Sequence, residues 1–172
     1  MALWSELSID PEELGRKYRD WVARVEETHH GANHRVNQTA AFTPLSGPLE
    51  ECTVALVSTA GVHLEDQPPF DTESIEGDPS YRIIPGDAAP NRLRFSHTHY
   101  DTSSARLDPN VVFPIDRLTE LMNAGRIGEV APFHIGMMGF NPDPTEVAER
   151  TAPEVAGLLA DADVDVVILV PG

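Results

Sequence analysis

The sequence has little cysteine and little positive charge, and each shortage excludes a class of protein. One cysteine, Cys52, among 172 residues leaves no internal disulfide framework. Twelve Lys and Arg residues stand against 28 Asp and Glu residues, which gives a formal net charge of -16. Phosphate backbones and anionic lipid surfaces would be repelled by such a chain at long range. The composition therefore argues against a nucleic-acid partner and against a membrane partner.

Long apolar runs are also missing. No stretch has the length of a membrane span or the layout of a signal peptide, so we expect a cytoplasmic protein. No repeat is evident. Hydrophobic residues make up 41% of the chain, which at this length suits one compact domain. We expect residues 1–50 to form an N-terminal helix and linker arm, and residues 51–172 to form the domain.

The N-terminal fifty residues predict a helix followed by an arm. Asp10 and Pro11 form a capped helix start, and apolar residues at helical spacing continue the pattern to about His29. The polar stretch 33–50 contains Pro and Gly and is typical of a linker.

Short apolar runs alternate with helical patterns in the remainder of the chain. Strands are predicted at 53–57, 81–84, 93–95 and 164–170, and helices are predicted to open at Pro114 and near Asp143. The run 164–170 is apolar almost throughout, which predicts a strand covered on both faces. Pro153 predicts a kink or a break in the last helix. The fold class is therefore α/β, a parallel sheet flanked by helices.

Ligands bind outside the carboxyl ends of the strands in such sheets. The loops after Val57, Phe95 and Val170 would converge there. Arg82 could hold a substrate carboxylate through two N–H groups, although an ordinary salt bridge is an equal alternative. The candidate substrate-binding residues in these and neighbouring loops are Ser58, Thr59, Gly61, Asp66, Arg82 and Gly139.

The densest group of reactive side chains is the run Ser-His-Thr-His-Tyr-Asp at 96–101. In an extended segment His97 and His99 would point to the same face. Together with Asp101 they match the first half of the zinc signature of metallo-β-lactamase-like hydrolases, but Thr102 stands where a further His belongs. The alternative is that these histidines only hydrogen-bond a loop to the sheet.

Two further histidines, His63 and His134, are expected in loops that open on the same edge of the sheet. Imidazoles exchange protons near neutral pH and are natural proton donors to a leaving group. The candidate catalytic residues are therefore His63, His97, His99, Asp101 and His134.

The sequence predicts no organic cofactor. It contains neither a GxGxxG motif nor a P-loop, so nothing argues for NAD or ATP. Cys52 precedes a strand and has no CxxC partner, which favours a buried spectator thiol.

Six strings of residues form a specific set when they are taken in order. They are VSTAGVH at 57–63, GDPS with RIIP within 77–85, SHTHYD at 96–101, VFPIDRL at 112–118, the stretch 127–140, and TAPE at 151–154. As a set, over about residues 53–172, they resemble the selenoprotein B family of glycine, sarcosine, betaine and D-proline reductases. The resemblance implies a Rossmann-like subunit of a larger reductase. In these reductases a selenol or thiol attacks a substrate activated on a partner subunit, and a carbon–nitrogen bond is cleaved with dithiols as the electron source.

The resemblance also implies a Cys or selenocysteine directly after the strand at 164–170, where this sequence has Pro171 and Gly172. We expect the natural protein to continue with that residue beyond Gly172. The expected partners are a small-molecule substrate and either a partner reductase subunit or a second copy of the chain. Two alternatives stay open. One is a non-catalytic partner that shapes a pocket in a hetero-oligomer, and the other is a hydrolase that holds zinc through His97, His99 and Asp101.

Overall fold

The computed structural model describes residues 16, 19–20, 43–45 and 47–172. The chain divides into two compact units, residues 1–36 and residues 37–172. In the first unit Arg16, Arg19 and Asp20 are helical, within the range of the predicted N-terminal helix. The rest of that predicted helix and most of the predicted arm lie outside the described residues. The predicted division at residue 50 stays a prediction.

The second unit is built of short strands and helices. Its strands are β1 (Thr53–Ser58), β2 (Val62–Leu64), β3 (Tyr81–Pro85), β4 (Leu93–Phe95), β5 (Glu129–Val130), β6 (Phe133–Met137) and β7 (Val166–Val170). Its α-helices are α1 (Ser103–Leu107), α2 (Ile115–Asn123) and α3 (Ala152–Asp161). Within the described ranges, no helix combines the length and the apolar composition that crossing a bilayer requires.

Strand β1 lies in the middle of a mixed sheet. Ser58 pairs with Gly136 of β6 on one edge and with Val170 of β7 on the other, and both pairings are parallel. The short β5 precedes β6 along the same edge of β1. Strand β3 pairs antiparallel with β6, and β2 and β4 form a separate antiparallel pair. The α/β class is confirmed, although the sheet is mixed rather than wholly parallel and the Rossmann-like detail stays a prediction.

Two apolar cores cover the two faces of β1. Val54 and Leu56 belong to the core that also contains residues of α2, whereas Ala55 and Val57 belong to the core that contains residues of α3. This alternation follows from the two-residue period of a strand. Burial of an aliphatic side chain of this size stabilises the fold by about 1.5–3 kcal/mol. Strand β1 is therefore the element around which both cores are packed.

The prediction that the last strand is covered on both faces is wrong. Strand β7 lies at the edge of the sheet, and the side chains of Ile168 and Leu169 are 37% and 73% exposed. On one face, Leu169 and α3 line an apolar groove of about 590 Å³. The apolar composition predicts the strand correctly, but Leu169 is left largely exposed.

The prediction that two histidines lie in loops was also wrong. His63 lies in β2 and His134 lies in β6, so neither is in a loop. The helix is not broken at Pro153, because a π-helical stretch, Val147–Thr151, leads directly into α3, and the predicted kink stays a prediction. Pro153 has no N–H group to donate to the preceding turn, and the π-helical stretch lies just before it.

Close backbone packing explains a glycine inside β6. A Cβ atom added to Gly136 would lie 1.9 Å from the carbonyl oxygen of Val62, which belongs to β2. No side chain fits at this distance, so the glycine allows the β2–β4 pair to lie directly against the sheet.

We expect Gly136→Ala to lower the free energy of unfolding by about 1–3 kcal/mol or more. The added methyl group would clash with backbone, and no side-chain rotation can relieve that clash. Gly157→Ala is the matched control, since Gly157 lies in α3 with nothing within 4 Å of its added Cβ atom. It should be neutral or stabilise by up to about 1 kcal/mol. Urea denaturation of the two variants measures the difference. Equal stability of the two would contradict the packing described here.

Candidate functional site

The loop after β1 turns sharply at the carboxyl edge of the sheet. The hydroxyl group of Ser58 is buried, donates to the carbonyl of Val112 at 2.8 Å and accepts from the N–H of Ala60 at 3.2 Å. Gly61 has a φ of 71°, and a Cβ atom there would lie 2.1 Å from the carbonyl oxygen of Ser96. Ser58 therefore holds the loop, and Gly61 allows the segment after β4 to approach it.

The backbone after β7 is held against this same loop. The N–H of Gly172 donates to the hydroxyl oxygen of Thr59 at 3.1 Å, and the N–H of Thr59 donates to the carbonyl of Val170 at 3.0 Å. A Cβ atom on Gly172 would lie 2.3 Å from the Cα atom of Ala60, and one on Gly139 would lie 3.4 Å from the carbonyl oxygen of Gly172. We use the term carboxyl-edge site for residues 58–61, 97–100, 138–139 and 172.

Tyr100 joins the histidine run to the carboxyl-edge loop. Its hydroxyl group donates to the carbonyl of Ala60 at 2.9 Å, and burial raises the pKa of the phenol. The ring of His97 lies 4.8 Å from the ring of Tyr100. The structure thus brings Ser58, Thr59, Gly61 and Gly139 together with the 97–100 segment.

His97 is a neutral imidazole in this setting. Its Nδ1 accepts from the backbone N–H of His99 at 3.0 Å, so the ring proton is on Nε2. Burial, and after it the neighbouring ring of His99, lowers the pKa of His97. Nε2 is buried, and no residue that the structure describes accepts its proton. His97 therefore offers one unused hydrogen-bond donor.

His99 and Asp101 lie on the exposed side of the run. The ring of His99 stacks on Phe140 with centroids 3.8 Å apart and planes 11° apart. A carboxylate oxygen of Asp101 accepts from the N–H of Ser103 at 2.9 Å, which holds the pKa of that carboxyl below its usual range. His99 is thus the open imidazole of the segment, and Asp101 begins the turn into α1.

The zinc arrangement considered from sequence has no geometric support. The segment is not a strand, and the rings of His97 and His99 are 5.9 Å apart at 85° to each other. Across residues 47–172 and the few described before them, no three His, Cys, Asp or Glu side chains form a group that could hold a metal ion.

His134 lies in the core rather than at the carboxyl edge. It is fully buried, its Nδ1 accepts from the N–H of Leu56 at 3.1 Å, and its ring packs edge-on against Phe113. Burial lowers the pKa of His134 to about 4. An imidazole that stays neutral and enclosed at neutral pH supports a structural role, in which it joins β6 to β1.

His63 is also largely enclosed. Its Nδ1 lies 2.8 Å from the carbonyl oxygen of Leu64, and its Nε2 lies 2.9 Å from the hydroxyl oxygen of Ser96. Burial lowers the pKa of His63, and the charges of Arg82 and Arg94 act in the same direction.

The guanidinium group of Arg82 is already engaged. It donates to the carbonyls of Pro68 and Pro69 at 2.8 and 3.1 Å, lies 4.3 Å from the ring centroid of Phe70, and has Asp78 at 4.0 Å. Arg82 thus holds the loop before β3 in place. This agrees with the alternative of an ordinary salt bridge and not with a free site for a substrate carboxylate.

Asp66 also stands outside the carboxyl-edge site. Its side chain is largely exposed and forms an ion pair with Arg92 at 3.1 Å.

Sequence reasoning missed three residues of functional interest. Tyr100 and Ser96 lie within the histidine run but were not singled out, although a hydroxyl group beside two histidines was a usable signal. Phe140 carries no such signal, because its stacking on His99 joins segments about forty residues apart.

Comparison with known proteins gives a consistent result. A family model described as glycine/sarcosine/betaine reductase selenoprotein B (GRDB) matches residues 22–171. D-proline reductase subunit gamma of Acetoanaerobium sticklandii is 41% identical over 131 residues, which cover 76% of this chain and 53% of that protein. Betaine reductase complex component B subunit beta of Peptoclostridium acidaminophilum is 28% identical over 123 residues, 70% of this chain and 28% of that protein. The chain thus spans about half or less of these curated relatives. No solved structure matches it significantly.

The burial of His134 predicts a pH-dependent stability. Its folded pKa of about 4 lies below the ordinary value of 6.5, so the unfolded chain binds the extra proton first as the pH falls. The contribution is fully present above pH ~6.5 and is lost towards pH ~4, at most about 3 kcal/mol.

Urea denaturation between pH 7.5 and 4.5 measures this contribution when wild type is compared with His134→Asn. The variant removes the titrating ring and keeps an oxygen that can accept from Leu56. As the pH is lowered, the free energy of unfolding of the variant should decrease less steeply than that of wild type. Parallel pH curves for the two proteins would show that His134 does not titrate as described.

Proposed function

Because the chain belongs to the glycine/sarcosine/betaine reductase selenoprotein B family, we propose that it forms part of a thiol- or selenol-dependent reductase subunit. The substrate is a small amino acid or a related amine, and the reaction is reductive cleavage of a carbon–nitrogen bond. The names of the two relatives support this class, since one is a subunit of D-proline reductase and the other a subunit of a betaine reductase complex.

The observation that carries the proposal is the contact of Gly172 with the loop after β1. In the proposed reductase the redox-active Cys or selenocysteine follows the strand that corresponds to β7. The backbone at that point is bonded to Thr59 and packed on Ala60, next to Gly139. In the proposal the nucleophile therefore lies next to Thr59, Ala60 and Gly139, beside the histidine run.

The proposed chemistry requires proton transfer as well as a nucleophile. When sulfur or selenium attacks the carbon, the electron pair of the carbon–nitrogen bond leaves with nitrogen, which takes up a proton. A second thiol then attacks the sulfur or selenium and breaks its bond to carbon, so that a disulfide or selenenyl sulfide forms and the carbon keeps the electron pair and takes up a proton. The external dithiol reduces the disulfide or selenenyl sulfide and restores the enzyme. In the proposal His99, exposed on Phe140, exchanges these protons with substrate and solvent. The buried Nε2–H of His97 has no acceptor among the described residues.

The test uses the full-length natural gene product together with its partner subunits, with dithiothreitol as the electron source. D-proline, glycine, sarcosine and betaine are offered separately. Turnover is measured as release of ammonia or amine from the last three and as appearance of a primary amine on ring opening of D-proline. We expect dithiol-dependent turnover of one or more of them. Absence of turnover with all four would overturn the substrate class.

In the same complex, His99→Gln should lower kcat about a hundredfold or more, the contribution of a positioned acid–base group. Arg117→Gln is the matched control, because Arg117 is an exposed residue of α2 that pairs with Glu120. Turnover that survives His99→Gln unchanged would remove His99 from the mechanism while leaving the reductase assignment in place.

A second candidate function is a non-catalytic one, in which the chain shapes a pocket for a cysteine-bearing partner. The observation that favours it is the exposed apolar edge formed by β7. In that case thiol-dependent turnover would require a cysteine or selenocysteine on the partner and none on the natural continuation of this chain.

A further inference from the structure

A pocket of about 430 Å³ opens beside the β2–β4 pair. We use the term arginine pocket for it, because its polar lining consists of His63, Arg94, Ser96 and Arg106. In the described chain no Asp or Glu side chain lines this pocket, although the whole protein has a net charge of -16. Its volume lies in the range of small-molecule sites, and its lining suits an anion.

Arg106 has donors to spare. Its Nε donates to the hydroxyl oxygen of Thr102 at 3.1 Å, whereas its two terminal nitrogens form no hydrogen bond or ion pair with any residue that the structure describes. A guanidinium group presents two parallel N–H donors that match the two oxygens of a carboxylate. Arg106 can therefore take a carboxylate without giving up an existing ion pair.

Arg94 also lines the pocket, and its guanidinium group is held by three partners. Its Nη1 donates to the carbonyls of Asn91 and Leu93 at 2.9 and 2.8 Å, and its Nη2 pairs with Glu65 at 2.8 Å.

Glu65 is shared with Arg92, which lies 3.3 Å from the other carboxylate oxygen. Arg92 also pairs with Asp66 at 3.1 Å, so the charges of Arg92 and Arg94 are matched by two carboxylates. Among the described residues that line the pocket, Arg106 therefore supplies the positive charge that no ion pair offsets.

The pair of His63 and Ser96 adds a hydrogen-bond acceptor. The carbonyl of Leu64 can only accept, so the ring proton of neutral His63 lies on Nδ1 and its Nε2 accepts from the hydroxyl of Ser96. The proton of Ser96 is therefore committed to His63, and the lone pairs of its oxygen are left for an N–H donor.

We propose that the arginine pocket binds a small amino acid, with the carboxylate on Arg106 beside Arg94 and an N–H of the amine on the Ser96 oxygen. This inference rests on the proposed function and names the place in this chain where the substrate is recognised. Ser96 connects the pocket to the carboxyl-edge site, because its backbone N–H donates to the carbonyl of Gly61 at 2.9 Å.

Binding to the purified chain tests the carboxylate contact, with D-proline, glycine and glycinamide as probes and calorimetry or ligand-observed NMR as the measurement. Arg106→Gln should weaken binding of D-proline and glycine about tenfold to a hundredfold, the effect of a lost charge-assisted hydrogen bond. Glycinamide should bind weakly to wild type and to the variant alike. Arg106→Lys should bind D-proline and glycine more weakly than wild type and more tightly than Arg106→Gln, since it keeps the charge but not the paired donors. Arg117→Gln should bind as wild type does.

The amine contact is tested with a second pair of probes. Glycine carries N–H groups and betaine carries none, so Ser96→Ala should weaken binding of glycine and leave binding of betaine unchanged. Thermal unfolding of each variant shows whether the fold is retained. Wild-type affinity for glycine in Arg106→Gln, or equal losses for glycine and betaine in Ser96→Ala, would overturn the proposal.

Turnover separates this inference from the proposed function. In the complete reductase, Arg106→Gln should raise KM more than it lowers kcat. An unchanged KM with normal turnover would refute the pocket and leave the reductase assignment standing. Arginine-dependent binding without turnover in any complex would refute the reductase assignment and leave the pocket standing.

Discussion

The close packing of backbone around the carboxyl end of β1 is the constraint on which the second unit depends. Strand β1 is paired on both edges and buried on both faces, so its position does not depend on the loops around it. At its end, Gly61 and Gly136 leave no room for side chains, and the segment after β4 and strand β2 approach to backbone contact. Segments that are far apart in sequence meet there because nothing larger than a glycine separates them.

The elements that could be predicted from sequence are those with a local signal. Strand β1 and helix α2 were predicted because an apolar run and a helical period specify them without reference to the rest of the chain. Strand β6 was missed because Gly136 lowers strand propensity, and the reason for that glycine is the backbone of Val62 rather than any neighbour in sequence. The exposure of β7 was missed because an apolar run indicates that a strand needs cover but not whether cover is present.

The same division holds for the functional side chains. The run 96–101 was identified from its composition, and it does lie at the carboxyl edge. The histidines, however, look equivalent in sequence and differ in the structure. His63, His97 and His134 are shifted towards the neutral form by burial, whereas His99 lies exposed on Phe140. Arg82 looked available for a ligand, but its donors are bound to carbonyls that no sequence pattern indicates. Burial and long-range pairing decide these roles.

The uncovered edge of β7 has a consequence for handling the protein. Its outer edge has no strand partner in the described chain, and the run VVILV has high strand propensity, no charge and no proline. Such an edge is a template for pairing with the same edge of another molecule, and repeated pairing of that kind leads to cross-β aggregation. Concentrated preparations of this chain alone should therefore lose material to insoluble aggregate. A peptide or protein that caps β7 would act as a solubilising agent.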